Sequence, residues 1–513
     1  MSFPLKLSSV SRMLALALSI GTLTACMAGP DYVRPDLQTH ADYAQASTLE
    51  SRSTTLPAPA LDSWWAGFDS PELTRIVQRA LAENLDLAAS MARVDQARAA
   101  AREAGAQLAP QGSLDGQVVK QYQSLKSPLG ELGSGHPGYT RSQTLENIGV
   151  GASWELDLAG GLHRGAEAAR AEADAAEANR DGVRVSVAAE SADAYFQVRG
   201  AQERIRLAQQ QIDTEAKLLD LVKERLAGGL ATSRELAQAQ ALVLQAQATL
   251  PPLRITLAQQ LNRLDVLRGA TPGTYASELR DSPQTFNVPA VGTHGGPDML
   301  LRRRPDVIAA ERRLAASNAG IGVAVAEYYP KVSLGGLLGF ESLQNGSLFS
   351  SAAFQPQAVL GLHWRLFDFG RIDAEVAQAK GANAEALAQY RQSMLRANED
   401  VEDAITALAE LEVQHRDLTQ EVTAHEQARG AAQDAYKGGA ISLIEVLDED
   451  RQLLAARDEL ARVHADDARA AVATFRALGG GWPGAADACD GTACPDAHPS
   501  QASARPIPTR GNG

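Results

Sequence analysis

The sequence predicts an internally duplicated α+β membrane protein, in which one chain supplies four membrane-crossing strands and several very long helices. Three observations carry this. The block around Trp154, Gly228-Gly229 and Glu235 returns around Trp364, Gly438-Gly439 and Glu445, each pair offset by 210 positions. Four segments alternate apolar with polar or small residues, the period of a strand with two unlike faces. Each strand pair is followed by a very long helical stretch, and in the first repeat this carries apolar residues at seven-residue spacing, the mark of a coiled-coil seam.

The chain opens on a targeting segment. Lys6 and Arg12 precede an apolar core from Met13 to Leu23, too short to span a bilayer. Leu23-Thr24-Ala25-Cys26 then resembles a bacterial lipobox, which would make Cys26 the acylated first residue of the mature protein; an ordinary signal peptide with a nearby Cys is the plainer alternative. Met27, standing where an Asp tends to retain lipoproteins in the inner membrane, resembles outer-membrane sorting. The resulting layout is a signal peptide over 1–25, a lipid-anchored linker over 26–62, a first repeat over 63–270, a linker over 271–296, a second repeat over 297–481 and a tail over 482–513.

Helical character starts at Ser70-Pro71, a cap followed by Pro at the first helical position, and is expected to run to about Gln107, before Pro110. A first strand begins near Ser113. The second is clear: Ile148, Val150, Ala152, Trp154, Leu156 and Leu158 alternate with Asn147, Gly149, Gly151, Ser153, Glu155 and Asp157. Val332, Leu334, Leu338 and Phe340 mark a third, and Ala358, Leu360, Leu362, Trp364 and Leu366 a fourth. Each is about the 9–11 residues that a tilted strand needs to cross a bilayer. Pro110 and Leu114 pair with Pro330 and Leu334 at an offset of 220 rather than 210. The first hairpin connection is therefore ten residues longer, and Ser127-Pro128 and Gly133 to Gly138 give it loop chemistry.

A helix from about His163 to Leu226 follows, with Val198, Ile205, Ile212, Leu219 and Leu226 in register; at ~1.5 Å per residue it approaches ~100 Å. Gly228-Gly229 ends it, and Thr232-x-x-Glu235 opens the return helix, a grammar repeated as Gly438-Gly439 and Ser442-x-x-Glu445. The first return helix carries Leu236, Val243, Leu250, Leu257 and Leu264 and is expected to break at Pro251-Pro252. The second, through Leu447, Leu454 and Leu460, has no such break.

Four strands cannot close a barrel, and lipid tolerates no open sheet edge. Several chains must then share one wall: two would give eight strands with a bore filled by side chains, three would give twelve with an aqueous lumen. A net charge of −14 argues against a nucleic-acid partner. No phosphate loop, zinc-protease helix or His cluster supports an enzyme, and no cofactor is expected beyond the lipid on Cys26. Cys489 and Cys494 could close a small disulfide ring or stay free thiols in the tail; with His498 they make only a weak metal case. Arg302-Arg303-Arg304 before Pro305-Asp306 reads as a helix start rather than an anion site.

Five segments together resemble a known family. They are Cys26-Met-Ala-Gly-Pro-Asp-Tyr-Val-Arg-Pro35, Trp64-Trp65 with Phe68-Asp69, Leu301-Arg-Arg-Arg-Pro-Asp-Val307, Gly361-Leu-His-Trp-Arg-Leu-Phe-Asp-Phe-Gly-Arg371 and Ala477-Leu-Gly-Gly-Gly-Trp482. The chain is similar to TolC-type outer-membrane efflux lipoproteins of the NodT/OprM kind. The resemblance implies a homotrimer with a twelve-stranded β-barrel in the outer membrane and a long periplasmic α-helical barrel. It also implies a passive exit duct for small molecules such as drugs, served by a periplasmic adaptor and an inner-membrane transporter, expected to be proton-driven. By the family pattern Ile444 forms an apolar constriction and Asp448 a carboxylate ring, while Glu235 and Tyr436 tie helices together in the closed state. Two plainer readings stand beside these: Asp448 as a solvated residue early in a helix, and Glu235 as half of a capping box. Adaptor docking would fall on the tips at Gly228, Gly229, Gly438 and Gly439. The competing functions are a protein-secretion duct and a non-conducting coiled-coil envelope lipoprotein.

Overall fold

A computed structural model describes residues 27–35, 42–44, 57–275, 278–279, 286–292, 296–297, 303–343 and 346–483. Cys26, Cys489 and Cys494 lie outside the described residues. After a short 3-10 segment at Leu61–Phe68, the elements are α1 (Pro71–Glu83), α2 (Leu85–Ala106), β1 (Gln111–Tyr122), α3 (Pro128–Ser134), β2 (Ser142–Glu155), α4 (Gly161–Ala227), α5 (Ser233–Ala248), α6 (Leu250–Leu267), α7 (Pro305–Ala326), β3 (Lys331–Ser342), β4 (Phe354–His363), α8 (Arg371–Lys437) and α9 (Leu443–Ala477). The chain forms two compact units, one built from residues 1–38, 86–183 and 305–396, the other from 39–85, 184–304 and 397–513, so each draws on both repeats.

The first unit holds one antiparallel sheet in the order β1-β2-β3-β4. Its register stacks Leu114, Val150 and Leu338 in one row across the strands, and Trp154, Leu334 and Leu360 in another. These side chains are uncovered: Leu114 is 70% exposed and Leu360 72%. The opposite face carries Ser113, Gly151, Leu337 and Gln357 in register. A water-soluble sheet buries its apolar face; this one presents it outward, as lipid-facing strands do. Two tryptophans finish that face. The indole N–H of Trp154 donates to the Leu108 carbonyl at 2.9 Å and that of Trp364 to the Tyr328 carbonyl at 3.0 Å. Pinned, partly exposed indoles suit a membrane–water boundary. In the same unit Arg164, 2% exposed, grips the N-terminal stretch through the Ala28 carbonyl at 3.1 Å and Asp31 at 2.6 Å. Gly29 comes so near that a Cβ on it would stand 2.5 Å from Gly322 Cα.

The second unit packs helices around an aromatic core. The Trp64 and Phe475 rings stack at 5.4 Å, and the Phe68 and Phe196 rings meet at 4.9 Å. Glu72 forms a buried ion pair with Arg199 and also accepts from the Tyr195 hydroxyl. Of the arginine run, Arg303 donates to the Trp482 carbonyl while the Trp482 indole donates to the Arg303 carbonyl, and Arg304 pairs with Asp400 at 2.8 Å. These are staples before a helix start at Pro305.

Two expectations are corrected, and the expected break in the first return helix is found between Ala248 and Leu250. The helix expected from Ser70 to Gln107 is two helices: Asn84 takes an extended ψ of 130°, and its side-chain amide donates to the Leu267 carbonyl. The break at Pro251-Pro252 is mild, because Thr249 stays in the helical region (φ −76°, ψ −23°) and both prolines fall in the first turn of α6, where their missing N–H is harmless. The long strand connection is not all loop: Ser127 caps α3, with Pro128 at its first position.

Candidate gate at the helical hairpin tips

Both tips close with one backbone device. At the end of α4, Gly229 has φ 70°, Leu230 N–H reaches the Arg225 carbonyl at 2.7 Å, and Gly229 N–H reaches Leu226 at 3.0 Å. At the end of α8, Gly439 has φ 75°, Ala440 N–H reaches Ala435 at 2.9 Å, and Gly439 N–H reaches Tyr436 at 3.0 Å. This pair of bonds is the Schellman motif, whose left-handed residue glycine supplies without steric cost. Gly228 and Gly438, one residue earlier, bond back to Glu224 and Asp434, each at 3.0 Å.

The caps that follow differ. Thr232 Oγ1 accepts the Glu235 N–H at 3.2 Å, and the Glu235 carboxylate accepts the Thr232 N–H at 2.6 Å and its hydroxyl at 2.8 Å. The backbone bond foremost, these bonds hold the Glu235 carboxyl below its usual range. At the second tip Glu445 accepts from both the N–H and the hydroxyl of Ser442 at 3.1 Å, so the Ser442 hydroxyl donates.

Beneath the tips Val222, Ala239, Leu443 and Leu447 form a buried cluster, against which Leu219, Leu236 and Tyr436 pack. Leu443 and Leu447, one turn apart, face inward. Their neighbours Ile444 and Asp448 share the adjacent face and stay uncovered, Ile444 at 43% exposure and the Asp448 side chain at 51%. The structure therefore brings these two candidates together. It also gives Asp448 partners that the sequence reading missed: Arg451 donates to its Oδ1 at 2.6 Å and Gln452 to its Oδ2 at 2.8 Å. The spacing of three and four residues was the available signal.

Tyr436 lies under the Arg225 guanidinium, 4.9 Å from the ring centre, and so ties the two hairpins together. Its hydroxyl is buried with no hydrogen-bond partner among the described residues. Glu235 is engaged in its cap, and among the described residues no hydrogen bond joins it to Tyr436.

A deeper group was also missed. Glu215 on α4 is 3% exposed and Asp450 on α9 is 5% exposed. Asp450 pairs with Arg429 on α8, while Glu215 takes a side-chain bond from Gln211 and its other oxygen is buried without a partner among the described residues. The signal lies in the repeat: Asp448-Glu449-Asp450 stands where the first half has Gln238-Ala239-Gln240.

Higher on the same helices a cavity of about 1170 Å³ is lined by Ile205, Leu257, Leu261, Phe286, His415 and His464 among others. The His464 ring stacks on Phe286 at 4.5 Å, and burial pushes both histidines below their usual range. Among the described residues no group of three or more His, Cys, Asp and Glu could hold a metal ion.

Known proteins align with this chain along most of its length. The outer membrane efflux protein family matches it twice, over residues 76–270 and 296–480. The pyoverdine export outer membrane protein OpmQ of Pseudomonas putida is 34% identical over 441 residues, covering 85% of this chain and 91% of the relative. Nodulation protein T of Rhizobium leguminosarum bv. trifolii is 28% identical over 474 residues, covering 90% and 95%. Among solved structures, the outer-membrane channel OprN superposes with a TM-score of 0.80 at 31% identity, covering 89% of this chain and all of that one.

Proposed function

Because the chain belongs to the outer membrane efflux protein family, we propose that it is the passive exit duct of a tripartite pump. Three copies close one twelve-stranded barrel in the outer membrane, and their helices continue the wall into the periplasm. Acyl chains on Cys26 anchor each copy. A periplasmic adaptor docks on the tips around Gly228-Gly229 and Gly438-Gly439, and a proton-driven inner-membrane transporter supplies the energy. The cargo is small molecules; a relative named for pyoverdine export supports an export task.

The observation that carries this reading is the sheet. Its apolar face is uncovered, and β1 and β4 stand at its rims with no further neighbour among the described residues. In lipid such rims must be paired, and further copies are the simplest partners. The gate reading is supported by Ile444 and Asp448 standing uncovered on one face directly below a tip. In a three-fold duct each recurs around the axis, giving an apolar iris and a ring of Asp448–Arg451 pairs. Such a ring favours cations less than bare carboxylates would.

Single-channel recording of the purified, reconstituted protein, with cross-linking to count subunits, tests both layers. A conducting trimer is expected, with Asp448→Asn lowering cation selectivity and Arg451→Ala raising it. A non-conducting single subunit would overturn the duct. Unchanged selectivity in both variants would remove the ring and leave the duct standing.

A further inference from the structure

We propose that Glu215, Asp450 and Arg429 form a proton-operated latch, which fastens the start of α9 to α4 when Glu215 carries a proton and loosens it when Glu215 is ionised. The latch rests on the gate reading for its effect on conduction, since α9 carries Ile444 and Asp448, but its geometry stands apart from that reading.

The cluster joins three helices through two buried carboxylates and one guanidinium. Arg429, on α8, is committed to Asp450. Glu215 on α4, nearly sealed from water, feels the charges of both members of this pair, Asp450 more than Arg429; one of its oxygens is bonded to Gln211 and the other is unpartnered among the described residues. The other charged groups nearby are engaged: His425 on α8 with Glu449 on α9 at 2.5 Å, and Arg457 on α9 with Glu426 on α8 at 2.5 Å. On α4 itself Asp213 and Lys217 face solvent. The return helix α5 has no charged residue beyond Arg234 and Glu235 at its start. Among the described residues no second cation is therefore placed to neutralise Glu215. A buried carboxylate in that position keeps a proton or strains its surroundings. Burial, then the Asp450 charge, pushes the Glu215 carboxyl up to about 7.

The sign follows from linkage. The packed arrangement binds the Glu215 proton more tightly than a loosened, hydrated one, in which the group regains its ordinary value of 4.5. The packed arrangement is thus favoured at acid pH and loses that advantage as pH rises through about 7. Its full swing is on the order of a hundredfold in the packed-to-loosened ratio.

The test is hydrogen exchange of the amides over 443–457 in the full-length reconstituted protein, read as protection factors between pH 5 and pH 8.5 beside single-channel recording. Protection in the wild type should fall by on the order of tenfold or more across this range. Glu215→Gln, a fixed mimic of the protonated acid, should keep its protection throughout. Asp450→Asn frees Arg429 for Glu215 and should move the fall to lower pH, which keeps the idea testable if Glu215→Gln is not recovered folded. Matching pH profiles in wild type and Glu215→Gln, or an unmoved transition in Asp450→Asn, would overturn the latch. Protection that follows pH while conductance does not would uphold the latch and remove the gate.

Discussion

The two helical hairpins align as copies and share their tips, yet only the second return helix carries a run of acids just below its cap. Each turns on a Gly-Gly Schellman motif and reopens on a Thr/Ser-x-x-Glu box. Below that, Gln238-Ala239-Gln240 faces Asp448-Glu449-Asp450, and Leu219 stands where the second half has Arg429. The first return is two helices meeting at Thr249; the second is one unbroken helix of 35 residues. Backbone devices are retained because a tip needs them whatever its task. Side chains diverge beside the candidate gate and the buried ion cluster, where the proposed roles would ask different chemistry of the two copies.

Three comparisons, five substitutions in all, would break or sharpen this contrast, read as local opening free energies from hydrogen exchange at the tips. Leu447→Ala should cost most, about 2–5 kcal/mol, because it empties the cluster on which both hairpins rest; a loss confined to the second tip would show that the hairpins do not share a core. Next comes an exchange of chemistry. Gln238 has a buried, unpartnered side-chain oxygen among the described residues, so Gln238→Asp should destabilise by about 1–3 kcal/mol, while Asp448→Asn on the open face should stay within about 0.5 kcal/mol. Equal costs would mean that the two faces are alike. The smallest effect separates the caps. Thr232→Ala removes an acceptor for a backbone amide and should cost about 1 kcal/mol, whereas Ser442→Ala, which loses only a hydroxyl donor to Glu445, should cost about half of that or less.

Much of this architecture was legible because its signals are local. Period two marked the strands, seven-residue spacing marked the seams that enter the tip cluster through Leu219 and Leu236, and Gly-Gly followed by a cap marked the tips. Ile444 and Asp448 share a face because they lie four residues apart. What stayed hidden depends on distant partners. The break at Asn84 is held by the Leu267 carbonyl, far along the chain. Glu215, Asp450 and Arg429 come from three helices and share no motif. Pro251-Pro252 marked the break in the first return helix but not its mildness: proline interrupts a helix interior but suits a first turn, and Thr249 supplies the new start. Arg451 beside Asp448 was readable but overlooked.

The bare greasy side of the sheet, with both outer strands unmatched among the described residues, also bears on how the protein is made. A newly folded copy is a sticky, open-ended template, liable to pair with whatever strand it meets first. In the proposed shared barrel, maturation and association would be one event, and the yield of finished protein would depend on how quickly sister molecules find each other. Substitutions at the outer strands would lower abundance in the cell before they altered any transport property.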